Sequence, residues 1–99
     1  MAKLIFMGTS DFACRVLDAL EMTNYLPELI ITRPDSRSGR NRQPSMPPVK
    51  KWAASRGVPL WQPLNINNQE SKARLSSMAA DLFVVVAYGK ILSKEVLSL

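Results

Sequence analysis

The basic side chains of one segment, residues 33–51, are the groups in this chain best suited to binding a charged ligand. Its six basic residues are Arg33, Arg37, Arg40, Arg42, Lys50 and Lys51. Asp35 is the only acidic residue there, so the segment has a net charge of +5, equal to the formal net charge of the whole chain. It also contains four of the seven prolines. A solvated surface usually mixes both signs, whereas this segment, called the basic loop below, favours binding to a polyanion through flexible backbone.

Two other short segments could contact a ligand because each follows an apolar run. Residues 8–13 (GTSDFA) contain a lone glycine, and they lack the spaced glycines of a dinucleotide fingerprint and the Gly-Lys-Ser/Thr of a P-loop. A tight strand-to-helix turn is therefore the favoured interpretation. In residues 87–92 (AYGKIL), backbone groups around Gly89 could hydrogen-bond a flat heterocycle between apolar side chains. A plain turn after a core strand is the alternative.

Several kinds of site are excluded by composition. The chain has no histidine and a single cysteine, Cys14, so an intrachain disulfide and a structural zinc site are ruled out. No metal is expected, and Cys14 lies at the edge of a helical apolar stripe, which indicates a packing role. No apolar run is long enough to span a bilayer or to act as a secretory signal, so we expect a cytoplasmic protein.

The elements that would position these segments alternate along the chain. Apolar runs predict strands at residues 3–7, 29–32, 58–61 and 82–88. Helices are predicted after Thr9 or Ser10, from Pro48 to Ser55 with Gly57 at the end, from Asn67 or Asn68 to about Ala80, and again from Ser93. This alternation is typical of an α/β fold with a parallel sheet, for which we expect the strand order 3-2-1-4.

The predicted sheet would bring three loops to one cleft. Residues 8–13 and 87–92 leave the carboxyl ends of strands one and four, where ligands bind at the switch point of a doubly wound sheet. The basic loop leaves strand two at the same edge. The unbroken apolar run at residues 82–88 predicts a strand covered on both faces. The helical pattern that starts at Ser93 is short, which favours a piece of a longer α/β domain.

Five segments together resemble the N-terminal third of the methionyl-tRNA formyltransferase family. They are LIFMGTSDFA, TRPDSRSGR, PPVK, GVPLWQP and DLFVVVAYGKIL, in this order. The resemblance implies that residues 1–99 are the N-terminal part of a Rossmann-like catalytic domain. The rest of that domain and a C-terminal β-barrel would lie outside the chain. It also implies formyl transfer from 10-formyltetrahydrofolate to the amino group of methionine on initiator tRNA, by an enzyme that is monomeric at full length.

The resemblance also implies roles for individual residues. Gly8, Thr9 and Ser10 match an active-site turn, with Ser10 where the family usually has proline. The implied folate-binding residues are Tyr88, Gly89, Lys90, Ile91 and Leu92. The implied tRNA-binding residues are Arg33, Arg37, Arg40, Arg42 and Lys50. Arg33 stands where the family has glutamine, and Asn41 stands where it has glycine. The family's catalytic Asn, His and Asp are expected after Leu99, so residues 1–99 contain none of them.

Two other functions remain open from the sequence. One is a free-standing RNA-binding module that uses only the basic loop, against which the short helical pattern at Ser93 argues. The other is a different folate-dependent formyltransferase that acts on a small substrate, against which the long basic loop argues. In either enzymatic interpretation, the 99-residue chain alone is expected to be inactive.

Overall fold

A parallel sheet of four strands organises the chain in a computed structural model that describes residues 3–38, 43–86 and 88. In chain order the strands are β1 (Leu4–Gly8), β2 (Leu29–Ile31), β3 (Ser36–Ser38), β4 (Gln43–Ser45), β5 (Leu60–Trp61) and β6 (Leu82–Val86). Strands β3 and β4 form a separate antiparallel hairpin. The other four are parallel and lie in the order β5-β2-β1-β6. The predicted α/β fold class and the order 3-2-1-4 are therefore confirmed.

The described residues also form three helices with identifiable ends. They are α1 (Asp11–Met22), α2 (Pro48–Arg56) and α3 (Gln69–Ser77). The side chains of Ser10 and Asn68 cap α1 and α3 by accepting hydrogen bonds from the backbone N–H groups of Ala13, at 3.4 Å, and Ser71, at 2.8 Å. Helix α2 ends at Gly57, which has the left-handed φ of 69° that glycine adopts without strain. These local signals were predicted from the sequence.

Buried clusters lie on both faces of the sheet, and β1 lies in its interior with all five of its residues buried. The buried cluster towards α1 and α2 comprises Phe6, Ala13, Leu17, Ile30, Val49, Trp52 and Ala53. The buried cluster towards α3 comprises Ile5, Met7, Ile31, Ile66, Leu75 and Tyr88. Adjacent residues of β1 alternate between the clusters because successive side chains of a strand point to opposite faces. The core therefore holds the carboxyl ends of the strands in fixed positions.

The prediction that the last strand is covered on both faces is wrong for the described residues. Strand β6 pairs with β1 at the edge of the sheet, and Leu82 and Val85 are 51% and 47% exposed. These two residues point to opposite faces, so each face of β6 has an exposed side chain. An apolar run predicts a strand from its residue types. Whether both faces of that strand are buried depends on which elements pack beside it.

The basic loop contains a hairpin that the sequence did not predict. Residues 36–38 and 43–45 pair as an antiparallel hairpin, with Arg37 opposite Pro44. The apolar pattern did not indicate it because two strands pair through their backbone groups, which an apolar pattern does not detect. Pro44 is compatible with β4 because both strands of a two-stranded hairpin are edge strands, where proline is tolerated. Residues 39–42 lie outside the described residues.

In the part of the chain that the structure describes, no helix is long and apolar enough to cross a membrane. Trp52 is buried and Trp61 is partly buried, as expected of core and boundary residues. Burial, followed by the charges of Asp11 and Asp18, raises the pKa of Cys14 above its ordinary value, and its side chain packs against the first cluster. The helix predicted from Ser93 lies outside the described residues.

Candidate functional site

The carboxyl ends of β1, β2 and β6 are joined by the hydroxyl group of Thr9, which follows β1 directly. Thr9 Oγ1 donates a hydrogen bond to the carbonyl oxygen of Tyr88 at 2.6 Å. It accepts hydrogen bonds from Thr32 Oγ1 at 3.2 Å and from the backbone N–H of Arg33 at 3.4 Å. A hydroxyl group has one proton and two lone pairs, so these three bonds occupy it completely. The predicted convergence of three loops is confirmed for their described residues.

Gly8 allows the strand ends to approach this closely. A Cβ atom on Gly8 would lie 2.7 Å from the carbonyl oxygen of Val86, 2.8 Å from Cβ of Ala13 and 2.8 Å from Cε1 of Phe6. Two of these neighbours are a backbone atom of β6 and the Cβ of a core residue of α1, which cannot move aside easily. Glycine is therefore required here by packing.

Ser10, the third residue of the predicted active-site turn, has a structural contact. Its hydroxyl oxygen caps α1 by accepting the Ala13 N–H bond at 3.4 Å. Ser10 stands where the family that the chain resembles usually has proline, and its side chain caps the helix that follows the turn. Asp11 then places a carboxylate in the first turn of α1, which suits the helix dipole and opposes a bound anion at that end.

Tyr88 is the one predicted folate-binding residue that the structure describes; Gly89, Lys90, Ile91 and Leu92 lie outside the described residues. Its side chain is 3% exposed, and its phenolic oxygen has no hydrogen-bond partner among the described residues. Burial raises the pKa of Tyr88 above its ordinary value, and the positive charge of Arg33 acts in the opposite direction. The phenol therefore remains neutral near pH 7 and offers a hydrogen-bond donor.

The base of the basic loop is anchored by Asp35. Its carboxylate accepts hydrogen bonds from Lys50 Nζ at 2.8 Å and from Gln62 Nε2 at 2.8 Å. Gln62 Nε2 also donates to the carbonyl oxygen of Arg33 at 3.1 Å. Hydrogen bonds from Lys50 and then from Gln62 hold the pKa of Asp35 below its ordinary value. The loop is thus fastened to α2 and to the residue that follows β5.

This anchor separates the predicted tRNA-binding residues into groups. The charge of Lys50 is paired with Asp35, whereas Arg33 is exposed and forms no ion pair with any described residue. Arg37 lies in β3, of which the backbone is described. Arg40 and Arg42 lie outside the described residues. Among the described tRNA-binding candidates, Arg33 is therefore the one whose side-chain charge remains available for a ligand. It is the first residue of the basic loop, and its backbone N–H bonds to Thr9.

Sequence reasoning missed two residues of this region, Thr32 and Gln62. Thr32 is fully buried and reaches Thr9, and Gln62 holds the loop base. Each is a polar residue directly after an apolar strand, and this position was the available signal. In the described part of the chain, no group of three or more His, Cys, Asp or Glu residues could hold a metal ion.

Comparison with known proteins gives concordant matches. A family model described as formyl transferase matches residues 2–99. The chain is 43% identical over 96 residues to the methionyl-tRNA formyltransferase of Legionella pneumophila (strain Corby), covering 97% of the chain and 31% of that protein. It is 45% identical over 98 residues to the methionyl-tRNA formyltransferase of Acidobacterium capsulatum, covering 98% of the chain and 32% of that protein. The chain thus spans about a third of the length of these curated relatives.

Proposed function

The chain belongs to the formyl transferase family, and from this premise we propose that it forms the N-terminal part of the catalytic domain of a methionyl-tRNA formyltransferase. The rest of that domain and a C-terminal β-barrel would complete the enzyme. The reaction is the transfer of a formyl group from 10-formyltetrahydrofolate to the amino group of methionine on initiator tRNA. The names of the relatives at 43% and 45% identity support methionyl-tRNA as the substrate. The single cysteine fits a reducing cytoplasm.

One observation carries the proposal: the basic loop and the segment after β6 meet at a single atom. Thr9 Oγ1 bonds to the N–H of Arg33, at the start of the basic loop, and to the carbonyl oxygen of Tyr88, at the start of the proposed folate segment. An RNA bound by the basic loop could therefore place its aminoacylated end beside a formyl donor bound at the carboxyl ends of the strands. An RNA-binding module would not need this contact between the two segments. A formyltransferase that acts on small substrates would not need the basic loop.

The described residues fit a formyl donor that carries polar groups. The buried phenol of Tyr88 has no partner among the described residues, and a ligand with a hydrogen-bond acceptor would satisfy it. Together with residues 89–92, Tyr88 would hold the folate, which supplies the formyl group. The sequence contains no histidine to take up the proton of the attacking amine. We assign that proton transfer to the family's His and Asp, and stabilisation of the oxyanion to its Asn, all of them outside residues 1–99.

A hybrid enzyme tests the proposal. Residues 1–99 would replace the matching segment of the Legionella pneumophila relative, and the hybrid would be assayed with methionyl-tRNA and 10-formyltetrahydrofolate. We expect formyl-methionyl-tRNA to form well above the rate without enzyme. A hybrid that folds and binds both substrates but forms no product would contradict the proposal.

A second measurement covers the case in which the hybrid does not fold. The 99-residue chain itself should bind initiator tRNA with an affinity that falls as salt concentration rises. Absence of such binding at low salt would contradict the assigned role of the basic loop. Formylation of a small amine by a folded hybrid, without formylation of methionyl-tRNA, would favour the other folate-dependent reaction.

A further inference from the structure

We propose that Thr9 is a positioning residue through which the basic loop and the folate segment influence each other. This inference rests on the proposed function, because it concerns how the two proposed substrates affect each other's binding. Its physical basis is that one side-chain atom contacts the backbone of both segments. Most substitutions leave the backbone N–H and C=O groups unchanged, so the hydroxyl of Thr9 is the part of this contact that a side-chain substitution removes.

The direction of each hydrogen bond at Thr9 follows from the partners. The carbonyl oxygen of Tyr88 can only accept, so the proton of Thr9 Oγ1 points towards it at 2.6 Å. The N–H of Arg33 can only donate, so it occupies a lone pair at 3.4 Å. Thr32 donates to the remaining lone pair at 3.2 Å. A shift of Arg33 therefore changes how well the Thr9 hydroxyl holds the carbonyl of Tyr88.

Burial makes these contacts sensitive to movement. The side chains of Thr9 and Thr32 are 5% and 0% exposed, so water is poorly placed to replace a broken bond. The carbonyl group of Arg33 is held as well, because Gln62 Nε2 donates a hydrogen bond to its oxygen at 3.1 Å. Arg33 is consequently fixed from both its N–H and its C=O. The exposed side chain of Arg33 is available to bind an RNA phosphate. Any movement of Arg33 on binding would reach Thr9 through the backbone N–H of Arg33.

The consequence is reciprocal coupling between RNA and the formyl donor. RNA binding that holds Arg33 in its present position would preserve its bond to Thr9, and the carbonyl of Tyr88 would then stay in place for the formyl donor. Linkage then requires the donor to strengthen RNA binding by the same factor. We expect a factor of about five or more, at the lower end of measured couplings between sites.

The decisive comparison is between isosteric variants of Thr9. Thr9→Val keeps the branched shape and removes the hydroxyl, so the factor should fall to about one. Thr9→Ser keeps the hydroxyl and should retain the coupling. Thr32→Val removes one donor but leaves the bonds between Thr9 and the two segments, so most of the coupling should persist. Thr23→Val is the matched control, because it removes an exposed threonine hydroxyl that donates to Leu20 at 2.7 Å.

The measurement uses the hybrid enzyme described above. Titration with 10-formyltetrahydrofolate, without and with saturating deacylated initiator tRNA, gives the ratio of the two dissociation constants without turnover. A ratio near one in the wild-type hybrid, or an unchanged ratio in Thr9→Val, would overturn the inference. Failure of the wild-type hybrid to bind tRNA or donor at all would instead count against the proposed function.

A second measurement keeps the inference testable if Thr9→Val does not fold. Hydrogen exchange at the Arg33 amide of the wild-type hybrid should slow when 10-formyltetrahydrofolate is added, because the donor stabilises its bond to Thr9. The Thr23 amide, which bonds to Leu20 at the end of α1, is the internal control and should not respond. An unchanged exchange rate at Arg33 would contradict the coupling.

Discussion

Glycine is favoured at positions 8 and 57 for different physical reasons. At Gly8 a side chain would collide with the carbonyl oxygen of Val86 at 2.7 Å. At Gly57 the backbone has a φ of 69°, and the space around a Cβ atom is open. The first glycine is needed by the packing of three elements, and the second by a single helix end.

This difference predicts different tolerance to substitution. Gly8→Ala should reduce the free energy of unfolding by about 1–3 kcal/mol, because the extra methyl group has no space. Gly57→Asn is the control and should cost under about 1 kcal/mol, because asparagine adopts the left-handed conformation. Urea unfolding of both variants would measure the effects. A Gly8→Ala midpoint equal to that of the wild type would refute the packing argument.

Asp35 predicts a pH dependence with a definite sign. Its pKa is lowered in the folded chain by the hydrogen bonds of Lys50 and Gln62, so it stabilises the fold when ionised. That contribution is present above the ordinary aspartate pKa of about 3.9 and is lost as the pH falls through the lowered folded value. The urea midpoint of wild type should therefore exceed that of Asp35→Asn at pH 5–7 and approach it below about pH 4. A constant difference across this range would show that the carboxylate is not the anchor.

At the scale of elements, α1 and α2 are joined by a tryptophan and an arginine. Trp52 Nε1 donates to Asp18 Oδ1 at 2.7 Å, and the guanidinium of Arg56 lies 4.2 Å from the centre of the Trp52 ring. Arg56 also pairs with Glu21 at 3.0 Å. The tryptophan ring is buried against the first cluster, whereas the ion pair lies in solvent and is screened. We infer that the ring, rather than the charges, holds the two helices together.

Substitutions of Trp52 separate these contributions. Trp52→Phe should cost about 1 kcal/mol, because it loses the hydrogen bond to Asp18 and keeps most of the buried ring. Trp52→Ala should cost about 3–5 kcal/mol, because it leaves a cavity beneath α2. Equal losses for the two variants in urea unfolding would mean that the hydrogen bond, and not the packing, dominates.

The basic loop predicts a salt-dependent interaction with tRNA. Replacing Arg40 and Arg42 by Ala in the hybrid should weaken tRNA binding and flatten the slope of log affinity against log salt by about 1 to 2 units. Lys50→Ala should change the slope less than Arg33→Ala, because Lys50 is paired with Asp35. Arg15→Ala, on the exposed side of α1, is the control. Unchanged slopes in the loop variants would mean that the loop is only a solvated surface.

At the scale of the whole molecule, we propose that the 99 residues supply binding surfaces of a larger active site. The chain covers 31% of its Legionella relative, and it has no histidine for proton transfer. We expect the isolated chain to give only background formylation of methionyl-tRNA. Turnover that persists after removal of all contaminating full-length enzyme would contradict this, and would require a general base among residues 1–99.

The sequence by itself determined the features that arise within one element or from the order of elements. The caps at Ser10 and Asn68 and the helix end at Gly57 depend on neighbours a few residues away, so they were readable locally. The alternation of strands and helices led to the parallel sheet in the order 3-2-1-4, because connections of this type are strongly restricted. The convergence of three loops followed from that order.

Tertiary structure decided which atoms meet at the converging loops. Thr9 contacts a residue 79 positions away, and Gln62 anchors residues 27 and 29 positions away, so no local pattern could indicate these bonds. The close packing at Gly8 and the exposure of β6 likewise depend on which elements lie beside them. The hairpin of the basic loop pairs backbone groups, to which apolar periodicity is insensitive. Hydrophobic pattern and capping residues specify elements and their order, whereas the contacts of the candidate site arise only when distant elements pack together.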